Sequence, residues 1–152
     1  MNRPLMLGAA ITAALGLATS ASAFTFSPVK KTFTATGPAA LTLNGVTLNC
    51  TATFTGKVAK TGAMAKITGA SFTDATGSCA QVIPADLPWM VKPTGAATIS
   101  INHIAASVPA CGPAKINATL GGGTIGINTT INPGACMINA SLNTSPTISI
   151  VP

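Results

Sequence analysis

The sequence predicts an all-β fold, an antiparallel β-sandwich of about nine or ten short strands. Apolar and polar residues alternate along most of the chain after residue 23, and helical periodicity is absent there. Gly, Pro and Asn interrupt the alternating segments at the intervals that short strands require. Threonine, whose branched side chain packs well on a pleated surface, is abundant. A β-barrel is the second candidate architecture.

The N-terminal segment 1–23 is predicted to be a signal peptide. Arg3 precedes an uncharged, mostly apolar stretch, and Ala21-Ser22-Ala23 has the small residues that a signal peptidase recognises. The apolar stretch is shorter than the roughly 20 residues of a membrane span, and it is rich in Ala and Gly. We therefore expect one secreted β-sandwich domain over residues 24–152, without a transmembrane anchor.

The first half of that domain contains a clear hairpin signal. Residues 24–36 alternate and begin the series of strands. Asn44-Gly45 then separates Leu41-Thr42-Leu43 from Val46-Thr47-Leu48, and this dipeptide favours a two-residue turn because both residues tolerate positive φ. A return strand is predicted over residues 65–72.

The second half begins with a segment of different character. Residues 81–93 contain three prolines and the single tryptophan, Trp89, which predicts a loop that re-enters the sheet. Gly121-Gly122-Gly123 is interpreted as a hairpin tip, because it lacks the lysine and the following helix of a phosphate loop. Further strands are predicted over residues 97–108, 115–120, 124–131, 136–142 and 147–151.

Charged side chains are scarce in this chain. They make up 7% of the residues, against about a quarter in an average soluble domain. Weak charge repulsion suits proteins that self-associate or contact apolar material. The lysines are spread along the sequence, and no arginine follows the predicted cleavage site. Nucleic-acid binding is therefore not expected, whereas weak attraction to anionic cell-surface polymers is.

Four cysteines lie after the predicted cleavage site: Cys50, Cys79, Cys111 and Cys136. An even number in a secreted chain predicts disulfides, here with three alternative pairings. We favour the sequential pairs Cys50–Cys79 and Cys111–Cys136, each worth roughly 3–4 kcal/mol by loop entropy. A metal site is not predicted, because the sequence has no C-x-x-C motif and only one histidine.

The residues that acid–base or nucleophilic catalysis needs are nearly absent. His103 is the only imidazole, and Asp74 and Asp86 are the only carboxylate side chains. No G-x-S-x-G motif provides the strand–turn context of a hydrolase nucleophile. The sequence therefore predicts a protein that is not an enzyme and that uses no cofactor.

A short apolar patch is the candidate site for hydrophobic contact. It contains Leu87, Trp89 and Met90, beside a proline-rich loop. One interpretation places Trp89 in the core, packed on a disulfide between two sheets. The other makes it part of an exposed platform for a hydrophobic ligand or partner.

Four segments carry a family resemblance: Leu48–Gly56, Ser71–Thr73 leading to Cys79, Leu87–Trp89 and Ala110–Pro113. Taken in order, they resemble the PraB family, the activators of alkane oxidation of Gram-negative bacteria. The resemblance spans roughly residues 33–136, and its moderately specific part is the order of the cysteines together with the Pro-Trp element. It implies a small secreted or surface-exposed protein that promotes growth on hydrophobic substrates such as alkanes, with no active site to carry over.

Two hypotheses follow for the role of the protein. The first is a non-enzymatic protein that aids contact with hydrophobic substrate, extracellular or on the outer cell surface, with the periplasm as the alternative location. The second is a self-assembling fibre or biofilm-matrix subunit. In that case residues 24–36, with Phe24, Phe26 and Phe33, would be a donor strand for an open sheet edge of a neighbouring molecule.

Overall fold

A computed structural model describes residues 23–152; the predicted signal peptide, apart from Ala23, lies outside the described residues. This part of the chain contains no α-helix, and none of its helical segments is long and apolar enough to cross a membrane. One 3-10 turn, Cys79–Gln81, accompanies the strands. The strands are β1 Thr25–Ser27, β2 Thr32–Leu43, β3 Val46–Val58, β4 Ala65–Thr73, β5 Ile83–Ala85, β6 Trp89–Pro93, β7 Thr98–Val108, β8 Cys111–Gly121, β9 Thr124–Ile131, β10 Cys136–Ser145 and β11 Ser149–Val151.

The main sheet closes on itself, so the protein is an antiparallel barrel and the predicted sandwich is wrong. Eight strands follow one another around the ring in the order β7-β6-β4-β3-β2-β10-β9-β8, and β8 pairs with β7 to complete it. Alternation of inward and outward residues is the same in a sandwich and in a barrel. The pairing of the first barrel strand, β2, with the last, β10, closes the ring, and strand periodicity does not encode that pairing.

The interior explains how the sheet can curve so tightly. Small inward residues such as Ala35, Ala52 and Ala118 alternate with large ones such as Phe54 and Ile127, and all are buried. A narrow barrel needs this mixture, because its inner side chains must fill a space that tapers. The register also shifts along the β3–β4 and β7–β8 pairs, and such bulges increase local bending.

One end of the barrel is filled, and we call it the closed end. It carries the first residues of β2, and β1 pairs there with β11 as a separate two-stranded sheet. Phe26 of β1 is 2% exposed, and its N–H donates a 2.8 Å hydrogen bond to the carbonyl oxygen of Gly62. With Ile148 and Phe33 it packs the interior so completely that a void of only about 20 Å³ remains.

The opposite end, which we call the open end, carries both disulfides. Cys50–Cys79 ties β3 to the 3-10 turn, and Cys111–Cys136 joins the first residues of β8 and β10. The sequential pairing predicted from the sequence is therefore confirmed. Each disulfide lies within one half of the domain's sequence, and both lie at the same end of the barrel. They cross-link the end of the barrel that has no plug of side chains.

Asp74 secures the loop that leads to one of these disulfides. Its carboxylate accepts hydrogen bonds from the hydroxyl of Thr76 and, at 3.0 Å, from the backbone N–H of Cys79. These bonds favour the charged form and lower the pKa of Asp74 from its ordinary value of 3.8, the Thr76 bond having the largest effect. Asp74 therefore stabilises the fold above pH 3.8, and this contribution is lost as the pH falls through the lowered pKa.

We expect Asp74→Asn to weaken the acid dependence of stability. The folded wild-type protein binds fewer protons at Asp74 than the unfolded chain does near pH 3.8, and the amide removes that difference. Melting temperatures measured from pH 6 to pH 2 test this, with Asp86→Asn as the matched control because Asp86 is the other acidic side chain. Identical pH profiles for the two variants would contradict the assignment.

Candidate hydrophobic-ligand site

The open end of the barrel contains an apolar cavity of about 340 Å³. All eight barrel strands contribute residues to it, together with residues of three connecting segments. This volume lies within the roughly 300–1,000 Å³ range of small-molecule sites in proteins. The lining residues are Leu41, Thr42, Leu43, Asn44, Val46, Leu48, Phe54, Phe72, Val82, Trp89, Ile104, Ala105, Ala106, Pro109, Cys111, Ile131, Cys136, Met137 and Ile138.

The β2–β3 hairpin forms one wall of the cavity. Asn44-Gly45 turns the chain there, as predicted, with both residues at positive φ. Leu41 pairs with Leu48 and Leu43 pairs with Val46, so that four aliphatic side chains occupy one face of the hairpin. Three of them are half-buried, and Val46 is 63% exposed. Since these side chains are only partly covered, the cavity is accessible from the open end.

Aromatic rings form the floor of the cavity. The Trp89 ring meets that of Phe54 edge to face at 5.6 Å, and Phe54 meets Phe72 in the same way at 6.1 Å. Trp89 is 2% exposed, and its indole Nε1–H donates a 2.8 Å hydrogen bond to the carbonyl oxygen of Ala85. Because the polar atom of the indole is already paired, the ring offers the cavity only apolar surface.

The cavity is uncharged as well as apolar. Among the described residues that line it, none is a lysine, aspartate or histidine, and the polar Thr42 and Asn44 lie at the hairpin tip. A polar ligand would leave its own groups unpaired in the interior, which costs about 1–3 kcal/mol for each group. A hydrocarbon has no such groups, so the site favours an aliphatic molecule.

The size of the cavity also suits a hydrocarbon chain. An apolar cavity of about 150 Å³ in another protein stays dry and binds benzene. The volume here, about 340 Å³, is roughly twice as large. A volume of this size accommodates a medium-length alkyl chain between Val46 and the aromatic floor.

The three candidate contact residues from the sequence do not act as one patch. Trp89 is 2% exposed, so it does not form an exposed platform; it packs against Phe54 and lines the cavity. Leu87 is 36% exposed and Met90 is half-buried, and neither lines the cavity. Contact of these two residues with a hydrophobic substrate stays a prediction.

The predicted donor segment, residues 24–36, is divided between two strands of the fold, β1 and β2. Phe24 is half-buried beside β1, and Phe26 lies in β1, which pairs with β11 of the same molecule. Phe33 lies in β2, which pairs along its length with β3 and β10 and is part of the barrel wall. The donor-strand hypothesis stays a prediction, but only β1 could be exchanged without opening the barrel.

The aliphatic rim was missed by sequence reasoning, although the hairpin itself was recognised. The available signal was that all four alternate positions from Leu41 to Leu48 are aliphatic up to the turn. An ordinary hairpin tip becomes polar as it leaves the core, because its side chains meet water. Aliphatic residues that continue to the turn indicate that the tip faces an apolar surface or ligand.

A second depression, on the outer wall, is polar. Asn117, Asn128 and Asn139 lie side by side on β8, β9 and β10, since Asn128 pairs with Asn139 and the β8–β9 register places Asn117 beside Asn128. All three are exposed, and Gly126 leaves space next to Thr119. We assign this row no role.

A family model described as alkane oxidation protein activator PraA/PraB-like matches residues 1–152. The resemblance seen in the cysteine order and the Pro-Trp element is therefore confirmed, and the match extends beyond the segments that carried it. No curated protein and no solved structure matches the chain.

Proposed function

The chain belongs to the PraA/PraB-like family of alkane oxidation protein activators, and on this premise we propose that it binds a hydrocarbon chain in its barrel cavity. In this role the protein promotes contact with, or growth on, hydrophobic substrates without catalysing a reaction. The uncharged apolar cavity at the open end is the observation that carries the proposal. Binding is driven by removal of hydrocarbon surface from water, worth about 25 cal/mol per Å².

The positions of the titratable side chains support a non-enzymatic role. Asp74 is engaged with the loop before Cys79, and neither Asp86 nor His103 lines the cavity. A ligand on the aromatic floor therefore has no general acid or base beside it among the described residues. The proposal is a carrier or contact protein, and oxidation of the hydrocarbon belongs to another catalyst.

The proposal places the protein outside the cytoplasm. Two disulfides fit an oxidising compartment, where such bonds persist. An extracellular or outer-surface location would bring the open end to the hydrocarbon, and the periplasm is the alternative. Comparing culture supernatant, cell surface and periplasmic fractions of the producing cells decides between these locations.

The test uses Trp89 as an internal reporter of the cavity. Titrating the oxidised chain, residues 24–152, with n-alkanes of increasing length should give a saturable change in tryptophan fluorescence, because Trp89 lies on the cavity floor. Affinity should rise with each added CH₂, by up to about 0.8 kcal/mol, until the chain fills the cavity. The matching fatty acids should bind no better, since no cation among the lining residues pairs with a carboxylate.

A variant separates the signal from the binding. Trp89→Phe keeps an aromatic floor and should still bind alkane, measured by displacement of a fluorescent apolar probe, while the tryptophan signal disappears. If neither assay shows saturable binding of any alkane to the folded wild-type protein, the proposed function is wrong.

A further inference from the structure

The lysines of the protein are gathered at the closed end, although they are dispersed in the sequence. Lys30 and Lys31 lie in the β1–β2 turn, and Lys60 lies in the β3–β4 turn. The others of this group occupy strand residues near the same end. The set, which we call the closed-end lysines, is exposed throughout and comprises Lys30, Lys31, Lys57, Lys60, Lys66 and Lys92.

Strand pairing brings the closed-end lysines into contact range of each other. Lys57 on β3 lies directly opposite Lys66 on β4, and Lys92 on β6 is two residues from Met90, which pairs with Lys66. The carbonyl oxygen of Lys31 accepts a 2.9 Å hydrogen bond from Val58, so Lys31 lies beside the end of β3. Directly opposite residues have Cβ atoms about 5 Å apart, and like charges in that arrangement are destabilising.

No carboxylate side chain offsets this repulsion at the closed end. The two acidic side chains of residues 23–152 lie in the other half: Asp74 follows the last residue of β4, and Asp86 follows β5, which pairs with the end of β7. The molecule therefore has a cationic end and, opposite to it, an end with an apolar opening. A stretch of repelling lysines with no acidic side chain beside it is suited to an external anion.

The residues around the lysines indicate which anion. Val29, next to Lys30, is 42% exposed at the tip of the β1–β2 turn, and Ala63 is exposed in the β3–β4 turn. At a lipid surface, aliphatic side chains at a turn tip can enter the boundary between headgroups and acyl chains, while the lysines beside them contact the anionic headgroups. The described part of the chain has no arginine, and its only unburied aromatic is the half-buried Phe24, which disfavours nucleic acid.

We propose that the closed end docks on a lipid surface with anionic phosphate headgroups, through Lys57, Lys66 and the lysines around them. Each lysine near such a surface contributes about 1 kcal/mol to the free energy of membrane binding. Six lysines can therefore hold a small domain reversibly on the surface. Because the cavity opens at the opposite end, the docked protein presents its mouth away from the membrane. The lipid surface fixes the orientation, and the cavity stays available to hydrocarbon.

Vesicle co-sedimentation tests the docking, without any hydrocarbon in the assay. The result is therefore independent of the proposed function. The oxidised chain should bind phosphatidylglycerol–phosphatidylethanolamine vesicles and not phosphatidylcholine vesicles. Salt at 0.5 M should release it, because screening limits the attraction between exposed charges to distances of a few Å. The double variant Lys57→Gln/Lys66→Gln should bind roughly 25-fold more weakly, at about fivefold for each lysine.

A matched control comes from the seventh lysine. Lys115 is exposed on β8 in the open half of the barrel, and Lys115→Gln changes the net charge as Lys66→Gln does. We expect Lys66→Gln to weaken vesicle binding about fivefold and Lys115→Gln to leave it unchanged. The melting temperature should not fall in Lys66→Gln, because removing one of two facing like charges relieves repulsion. Equal weakening by both variants, equal binding to phosphatidylcholine, or binding only to a soluble anionic polysaccharide would overturn the proposal.

Discussion

Ala106→Phe is expected to reduce alkane binding by about tenfold or more, since forcing extra carbon atoms into a filled apolar site costs about 1–3 kcal/mol. Ala106 lines the cavity near its mouth and is half-buried, so the new ring would point into the space that the ligand needs. The barrel wall should tolerate the substitution, because the cavity itself provides room for the ring. Fluorescence of Trp89 during an alkane titration measures the loss.

The control adds the same ring far from the cavity. Ala97 is exposed in the β6–β7 turn at the closed end, where Ala97→Phe leaves the cavity unchanged. Both variants should keep the far-ultraviolet circular dichroism and melting temperature of the wild type within a few degrees. An Ala106→Phe protein that binds alkane as tightly as the Ala97→Phe protein would place the ligand elsewhere.

Replacing Cys111 and Cys136 with alanine is expected to lower the free energy of unfolding by about 3 kcal/mol and the melting temperature by roughly 10 °C. The disulfide closes a loop with a sequence separation of 25, and its loss increases the entropy of the unfolded chain. Both cysteines also line the cavity, so their replacement should weaken alkane binding at temperatures where the variant is folded. Thermal denaturation and the alkane titration measure the two effects.

The other disulfide separates stability from binding. Cys50→Ala/Cys79→Ala removes a bridge with a similar sequence separation, 29, whose cysteines do not line the cavity. We expect a comparable loss of stability with little change in affinity for alkane. Equal losses of affinity in the two double variants would mean that the cavity depends on general rigidity of the open end.

Much of the fold follows from the sequence by local rules. The Asn44-Gly45 hairpin, the disulfide pairing and the strand content each depend on nearby residues or on a small number of combinations. Ring closure does not, because it requires the first barrel strand, β2, to pair with the last, β10, across nearly the whole length of the domain. The inward alanines carried the relevant signal, since small residues let a sheet close into a narrow barrel.

The site was only partly predictable for the same reason. The sequence predicts one contact patch of Leu87, Trp89 and Met90, but Leu87 and Met90 are not partners of Trp89 in the cavity. Its partners come from other strands, among them Phe54 and the β2–β3 hairpin. The lysines show the opposite effect: their sequence spacing suggests dispersion, and the pairing of β3, β4 and β6 brings them together.

The packed closed end gives the cavity a single entrance and a fixed capacity. With Phe26 and Ile148 filling the far end, a void of only about 20 Å³ remains there, and a ligand must leave by the way it entered. The proposed carrier therefore holds one hydrocarbon chain per protein molecule. A detergent differs, because the amount of oil that it solubilises rises with the concentration of its micelles. Its effect on hydrocarbon uptake should saturate as substrate increases, and should scale with the number of protein molecules present.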